Sequence, residues 1–350
     1  MHHRLSKLIN ALEKKGLGAL AVTKIENVRY LSGFTGSNAV AVVSAGASVL
    51  ITDGRYREQA HVETPSWEIV IYKGEIAEAV AEALHGAESI GFETSASFEL
   101  VENLRTALPD KATLQPVKDI VEGIRMCKDE VEISLIHQAL ECASRAFGQI
   151  VPLIRPGVTE REIAAELDYR MMLAGAEGPA FDTEVASGPH SSMPHASFTD
   201  RVLSEGDLVV IDFGVRRNGY CTDTSRTLVV GEPDERQEDL LEAVKEASDA
   251  ALAALKPGIQ ASEVDQAARR VIAEKGFAGN FSHGLGHGVG LEVHEKPTIS
   301  ALSKDVLQPG VVFTIEPGIY IEGWGGVRHE EMLLMTSAGM EVLSRNIPDR

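Results

Sequence analysis

The chain has 350 residues, with 33 basic against 52 acidic side chains and a formal charge of −19, and that length exceeds what one hydrophobic core usually fills, so two domains are expected. So acidic a balance argues against nucleic acid as a partner, because phosphate binding needs clustered Lys and Arg. The cysteines Cys127, Cys142 and Cys221 are odd in number and lack a Cys-x-x-Cys spacing, so they suggest neither a disulfide framework nor a zinc knot.

The first third alternates helical and strand patterns. Leu5, Leu8, Ile9 and Leu12 recur at helical spacing, residues 20–22, 39–43 and 48–51 read as strands, and 76–84 and 98–108 as helices. The expectation is a mixed α/β domain over residues 1–120, with Asp53, Arg55 and Tyr56 at a turn and helix start where Asp53 is an N-cap. Residues 116–126 read as the crossing to a second domain, 127–350, opened by a helix over 128–150 with Glu130, Glu132 and Glu141 on its wet side. The amino terminus lacks an apolar export core, and the run at 39–51 is too short and too glycine-marked to span a bilayer. A cytoplasmic protein without a membrane partner is therefore expected.

In the second domain, carboxylates end apolar runs. Asp212 closes Leu208-Val-Val-Ile211 and Glu316 closes Val311-Val-Phe-Thr-Ile315, and buried strands are the natural reading of both. An isolated charge at that depth is strongly disfavoured without a cation or a hydrogen-bonded partner. A shift of 104 residues carries Asp212 onto Glu316, together with Gly206 onto Gly310, Ile211 onto Ile315 and Gly214 onto Gly318. Upstream, a shift of 101 carries Pro156-Gly157 onto Pro257-Gly258 and Glu162-Ile163 onto Glu263-Val264. Such a repeat predicts two related half-domains, each a Pro-Gly turn, helix and acid-ended strand, meeting at a shared site.

The other candidates fit that plan. Asp223 follows Asp212 across Gly214–Gly219, and Glu330 follows Glu316 across Gly323–Gly326, both at hairpin spacing. His287 sits among Gly284, Gly286, Gly288 and Gly290, where the missing side chains let other groups approach the backbone. Oxygen donors with one imidazole suit Mn²⁺, Co²⁺, Fe²⁺ or Zn²⁺. Bridging carboxylates let five side chains hold two ions roughly 3.5–4 Å apart.

The blocks Pro194-His195, Ile211-Asp-Phe-Gly214 with Asp223-Thr-Ser-Arg-Thr227, His283 to His294, Thr314-Ile-Glu-Pro-Gly318 and Gly326-Val-Arg-His-Glu330 resemble the pita-bread metallopeptidases. Within them the similarity is to the Xaa-Pro peptidases, prolidase and aminopeptidase P. It extends to the amino terminus, because residues 27–38 and 52–56 resemble that family's first domain. The resemblance implies an amino-terminal α/β domain followed by a pseudo-twofold pita-bread catalytic domain, hence an α/β (α+β) chain. It implies two divalent ions, Mn²⁺ foremost, held by Asp212, Asp223, His287, Glu316 and Glu330. It further implies catalytic His195 and His294, with His283 and Arg328 beside the substrate, short proline-containing peptides as substrates, and a homodimer whose amino-terminal domains cover the partner's site. Where relatives place an aliphatic residue and then Glu-Asp, this chain has His329-Glu330-Glu331. Strand alternation predicts that Glu330 faces the site and that His329 and Glu331 face away.

Such a centre hydrolyses without a nucleophilic side chain, since the cations acidify a water and polarise the carbonyl. Glu316 is the candidate to carry a proton to the leaving nitrogen, and His195 or His294 the donor to the developing oxyanion. The proline preference follows from the resemblance alone. Rival readings are a methionine aminopeptidase, which typically lacks the first domain, creatine amidinohydrolase, which does not need the ligands, and an inactive pita-bread protein that binds peptides.

Overall fold

A computed structural model describes residues 2–349, and these fall into two compact units divided between Arg125 and Met126. In the first unit a six-stranded sheet runs, edge to edge, Glu68–Ile71, Ser48–Thr52, Ala39–Ser44, Ala19–Val22, Ser89–Glu93 and Thr113–Val117. The helices expected from periodicity form at His2–Lys14, Ile76–Ala83 and Phe98–Ala107. Alternate strand residues Ala19, Ala21, Val40, Val42, Val49 and Ile51 pack with Val80, Val101 and Leu104 of two of these helices and with Leu84, which caps one of them, as the two-residue period of a strand requires. Asp53 caps its turn, accepting from the Arg55 amide at 2.9 Å.

Segment 116–126 differs from the expected crossing. Pro116 lies in the edge strand Thr113–Val117, where a missing N–H is tolerated, and the chain then forms the helix Ile120–Arg125.

The second unit repeats one plan twice. Helices Glu130–Ile150 and Glu160–Leu173 pack as a pair, as do Glu235–Ala254 and Ala261–Glu274. Three open with a reciprocal capping box, Asp129 with Glu132, Thr159 with Glu162 and Asp234 with Gln237, and in the fourth the Gln260 amide donates to Glu263. The paired Pro-Gly turns also match, with Gly157 and Gly258 in the left-handed region at φ 92° and 84°. Glu132 departs from the expected wet face: it is 2% exposed and accepts from Tyr220 Oη at 2.9 Å, because the capping role turns it inward.

Each half contains a strand and its return. Leu208–Phe213 pairs antiparallel with Thr224–Val229, and Val312–Ile315 with Glu331–Thr336. The glycine-rich intervals are themselves small hairpins, Val215–Arg217 with Tyr220–Cys221 and Gly318–Ile321 with Gly325–Arg328. The halves are stitched where Glu330 N donates to Ser225 O at 3.1 Å and Arg328 N to Thr227 Oγ1 at 3.0 Å. Among the described residues no helix is long and apolar enough to cross a membrane.

Candidate metal centre

The acids gather where the two halves meet. Asp212 is the fifth residue of Leu208–Phe213, and Asp223 stands just ahead of the return strand Thr224–Val229. In the second half Glu316 follows Val312–Ile315 directly, and Glu330 precedes Glu331–Thr336. The strand and its return thus bring two acids per half to one end of the sheet.

Asp212, Asp223 and Glu330 each bring a carboxylate oxygen within 4.8 Å of the others, and so do the ligand atoms of His287, Glu316 and Glu330. His287 Nε2 lies 3.4 Å from Asp223 Oδ2 and 3.6 Å from Glu316 Oε1. Its Nδ1 is 3.1 Å from the Gly288 carbonyl, which leaves Nε2 as the free acceptor. His294 joins Asp223 and His287 in a third such group, its ring 4.2 Å from that of His287.

These groups suit cations. Asp212 Oδ1 and Asp223 Oδ1 are buried and have no hydrogen-bond donor, although buried carboxylate oxygens are nearly always satisfied. Burial, and then repulsion from Asp212 and Glu316, raises the Asp223 carboxyl well above its usual range. Burial and repulsion from Asp223 do the same to Glu330, and burial first of all lifts Glu316 to about 7. Divalent ions would reverse that balance.

Arg328 is 2% exposed, and its guanidinium is shared among Asp212 Oδ2 at 2.7 Å, Ser225 Oγ at 2.7 Å, Pro194 O at 2.7 Å and Tyr320 Oη at 3.0 Å. His283 Nε2 lies 3.1 Å from the same hydroxyl, and its Nδ1 is 3.8 Å from Glu316. His195 is open, with 77% of its side chain exposed and its ring 6.5 Å from His283. Burial in the first place lowers both His283 and His294 to about 4, so both rings are neutral near pH 7. His329 and Glu331 form a separate group with Asp349, in which Arg226 holds Glu331 at 2.9 Å. Glu330 instead accepts from Ser225 Oγ at 2.9 Å.

Three neighbours were not among the expected residues: Ser225, Tyr320 and Glu184. Tyr320 carries no signal in the sequence beyond its place in a glycine-bounded hairpin. Glu184 is opposite Asp212 in the sheet, and burial, then repulsion from Asp212, lifts its carboxyl to about 7. Cys221 is buried, and its thiol is pushed up to about 12 chiefly by that burial, the state of an inert packing residue.

Four acids and an imidazole, gathered around two buried carboxylate oxygens that lack a donor, fit a hydrolase built on divalent metal. Sequence comparison is specific about which. Residues 134–337 match metallopeptidase family M24, and residues 4–127 match the creatinase/prolidase amino-terminal domain. The chain belongs to metallopeptidase family M24. It is 40% identical to an Xaa-Pro dipeptidase of Pyrococcus horikoshii, over 99% of this chain and 97% of that one. Among solved structures it resembles an Xaa-Pro dipeptidase from Bacillus anthracis, at 37% identity and a TM-score of 0.95 over 98% of this chain and 97% of the other. It also resembles an X-Pro aminopeptidase from Thermotoga maritima, at 40% identity and a TM-score of 0.89 over 97% of both chains.

Proposed function

We propose that this protein hydrolyses the peptide bond ahead of proline at the amino terminus of short peptides. The observation that carries the reading is the convergence of four carboxylates and His287, with two buried oxygens lacking donors. Relatives named Xaa-Pro dipeptidase and X-Pro aminopeptidase, each similar along nearly the whole chain, support the substrate class. The match of residues 4–127 to a creatinase/prolidase domain favours this over a methionine aminopeptidase.

In this reading Asp212, Asp223, His287, Glu316 and Glu330 hold two divalent ions, with Mn²⁺ favoured by an oxygen-rich set with one imidazole. When bound, the ions supply deprotonated water near neutral pH and polarise the scissile carbonyl. Glu316 moves the proton: a carboxylate that offers one oxygen to a metal keeps the other free to take a proton and return it to the leaving proline nitrogen. Neutral His294, beside His287, and open His195 donate to the oxyanion as it develops. Arg328 and Tyr320 are positioning residues. The guanidinium fixes Asp212 and ties the Pro194 carbonyl, next to His195, to the centre. His283, against Tyr320 and Glu316, walls the side where proline sits. We place the protein in the cytoplasm as a homodimer.

The test is hydrolysis of Ala-Pro beside Ala-Pro-Ala with added Mn²⁺, Ala-Ala-Ala as control and Glu316→Gln as the blank. Cleavage of Ala-Pro alone assigns a dipeptidase and cleavage of Ala-Pro-Ala an aminopeptidase P. Cleavage of neither overturns the reading.

A further inference from the structure

Glu184 opens the strand Glu184–Ser187, at the edge of the three-stranded sheet. Its direct partner across the antiparallel ladder is Asp212. Residues opposed in this way stand on one face with Cβ atoms about 5 Å apart, and like charges so placed repel. An acid at this position therefore destabilises the sheet unless a cation meets it.

Within the chain Arg328 meets it at ion-pair distance only, without a hydrogen bond. Arg328 Nη2 is 3.7 Å from Oε2 and His195 Nδ1 is 4.0 Å from Oε1, both beyond hydrogen-bond distance. Among the described residues no group donates a hydrogen bond to either oxygen, and Arg328 directs its hydrogen bonds to Asp212, Ser225, Pro194 and Tyr320 instead. The Glu184 side chain is 23% exposed, beside the open His195. It is thus an acid facing the reaction centre, reachable from solvent, with its hydrogen-bonding capacity unused and no part in the proposed chemistry.

Its place selects what it can meet. Asp212 lies at the centre, and Glu184 lies one strand farther out. The α-ammonium of a peptide is two bonds from the scissile carbon and falls nearer the central acids. A long side chain on the first residue reaches the edge strand.

We propose that Glu184 is a specificity-determining residue whose carboxylate receives the cationic side chain of arginine or lysine at the first position of the peptide. This rests on the Xaa-Pro reading above. Arginine is the better fit, because its planar fork donates two parallel hydrogen bonds to one carboxylate. An acidic first residue meets repulsion from both Glu184 and Asp212.

The experiment measures kcat/KM for Arg-Pro, Lys-Pro, norleucine-Pro and Asp-Pro with the Mn²⁺-loaded wild type, Glu184→Gln and Glu184→Lys. Norleucine matches lysine in length without the charge. The wild type is expected to favour Arg-Pro over norleucine-Pro by about tenfold, the step that roughly 1.4 kcal/mol makes. Glu184→Gln should bring that ratio close to one, and Glu184→Lys should place Asp-Pro above Arg-Pro. Each ratio is internal to one protein, so a variant that folds or loads metal less well still reports selectivity. If all substrates fall together in Glu184→Gln and the ratio holds, the carboxylate serves the α-ammonium or the fold, and the inference is overturned. If the wild type cleaves norleucine-Pro without preferring arginine, the inference fails and the Xaa-Pro reading stands. If it cleaves no Xaa-Pro peptide, that reading fails and takes the inference with it.

Discussion

Asp223 is 4% exposed, and its Oδ1 meets no donor, so an ionised Asp223 would destabilise the centre without cations and stabilise it with them. Asp223→Asn should therefore raise the melting temperature in the presence of a chelator and abolish the rise that Mn²⁺ produces in the wild type. Activity should fall by more than the roughly 10–100-fold typical of groups behind a metal ligand. Scanning fluorimetry with and without Mn²⁺ checks the crossover; an asparagine variant less stable than the wild type under chelator would refute the charge argument. Glu160 presents the opposite case. It is fully buried, yet both oxygens are served, by Ser187 N and Oγ at 2.7 Å each and by Thr199 N at 2.9 Å and Oγ1 at 2.6 Å. Burial pushes its carboxyl up, but the donors from Thr199, Ser187 and His190 outweigh that and hold it below its ordinary 4.5. A depressed carboxyl contributes stability that is present above its unfolded pKa and is lost as pH falls through the folded one. Glu160→Gln should thus cost about 1.5–3 kcal/mol at pH 7, and the gap to the wild type should narrow below about pH 4.5 in urea titrations. Because these donors bracket the segment that carries His195, the same variant should lose catalytic efficiency while still binding Mn²⁺.

Elements whose fate is decided locally were legible in the sequence. The apolar runs ending in Asp212 and Glu316 form strands, and the Pro-Gly starts form capped helices, because period and capping act over a few residues. Strands of intermediate or exposed burial, Glu68–Ile71 and Thr113–Val117, escaped that reading, since an edge strand needs no strict alternation. The neighbourhood of Glu184 was out of reach for a different reason. Its meaning depends on lying opposite Asp212 and near Arg328, and pairing between distant segments leaves no local period. The glycines around His287 are an intermediate case, visible as a pattern but explained only by contact. A Cβ on Gly286 would stand 2.1 Å from the Thr314 carbonyl oxygen, so the strand bearing His287 lies against the one leading to Glu316 only because that side chain is absent. Gly286→Ala should force the two apart, with a loss of about 1–3 kcal/mol and weaker Mn²⁺ binding by calorimetry. An unchanged affinity would show that the close approach does not set the site.

For the whole molecule, the consequence of the repeat is that neither half owns the centre. Asp212 and Asp223 come from the first half, and His287, Glu316 and Glu330 from the second, and direct bonds between the halves cluster beside them, from Arg226 and Thr227 to Glu330 and Arg328 and from Arg328 to Asp212 and Pro194. Without cations the same place concentrates mutually repelling acids, of which Arg328 holds Asp212 and Ser225 holds Glu330. Ions bound there would link the halves and remove the repulsion together, and ligand present at 100 times its dissociation constant stabilises the folded state by about 2.7 kcal/mol through mass action alone. Chelation should accordingly lower the unfolding temperature, and Mn²⁺ should restore it. Hydrogen exchange locates the effect: added Mn²⁺ should slow exchange in Leu208–Phe213 and Thr224–Val229 as well as in Val312–Ile315 and Glu331–Thr336. Protection confined to one pair of strands would mean that a single half holds the metal, and the shared centre implied by the repeat would have to be abandoned.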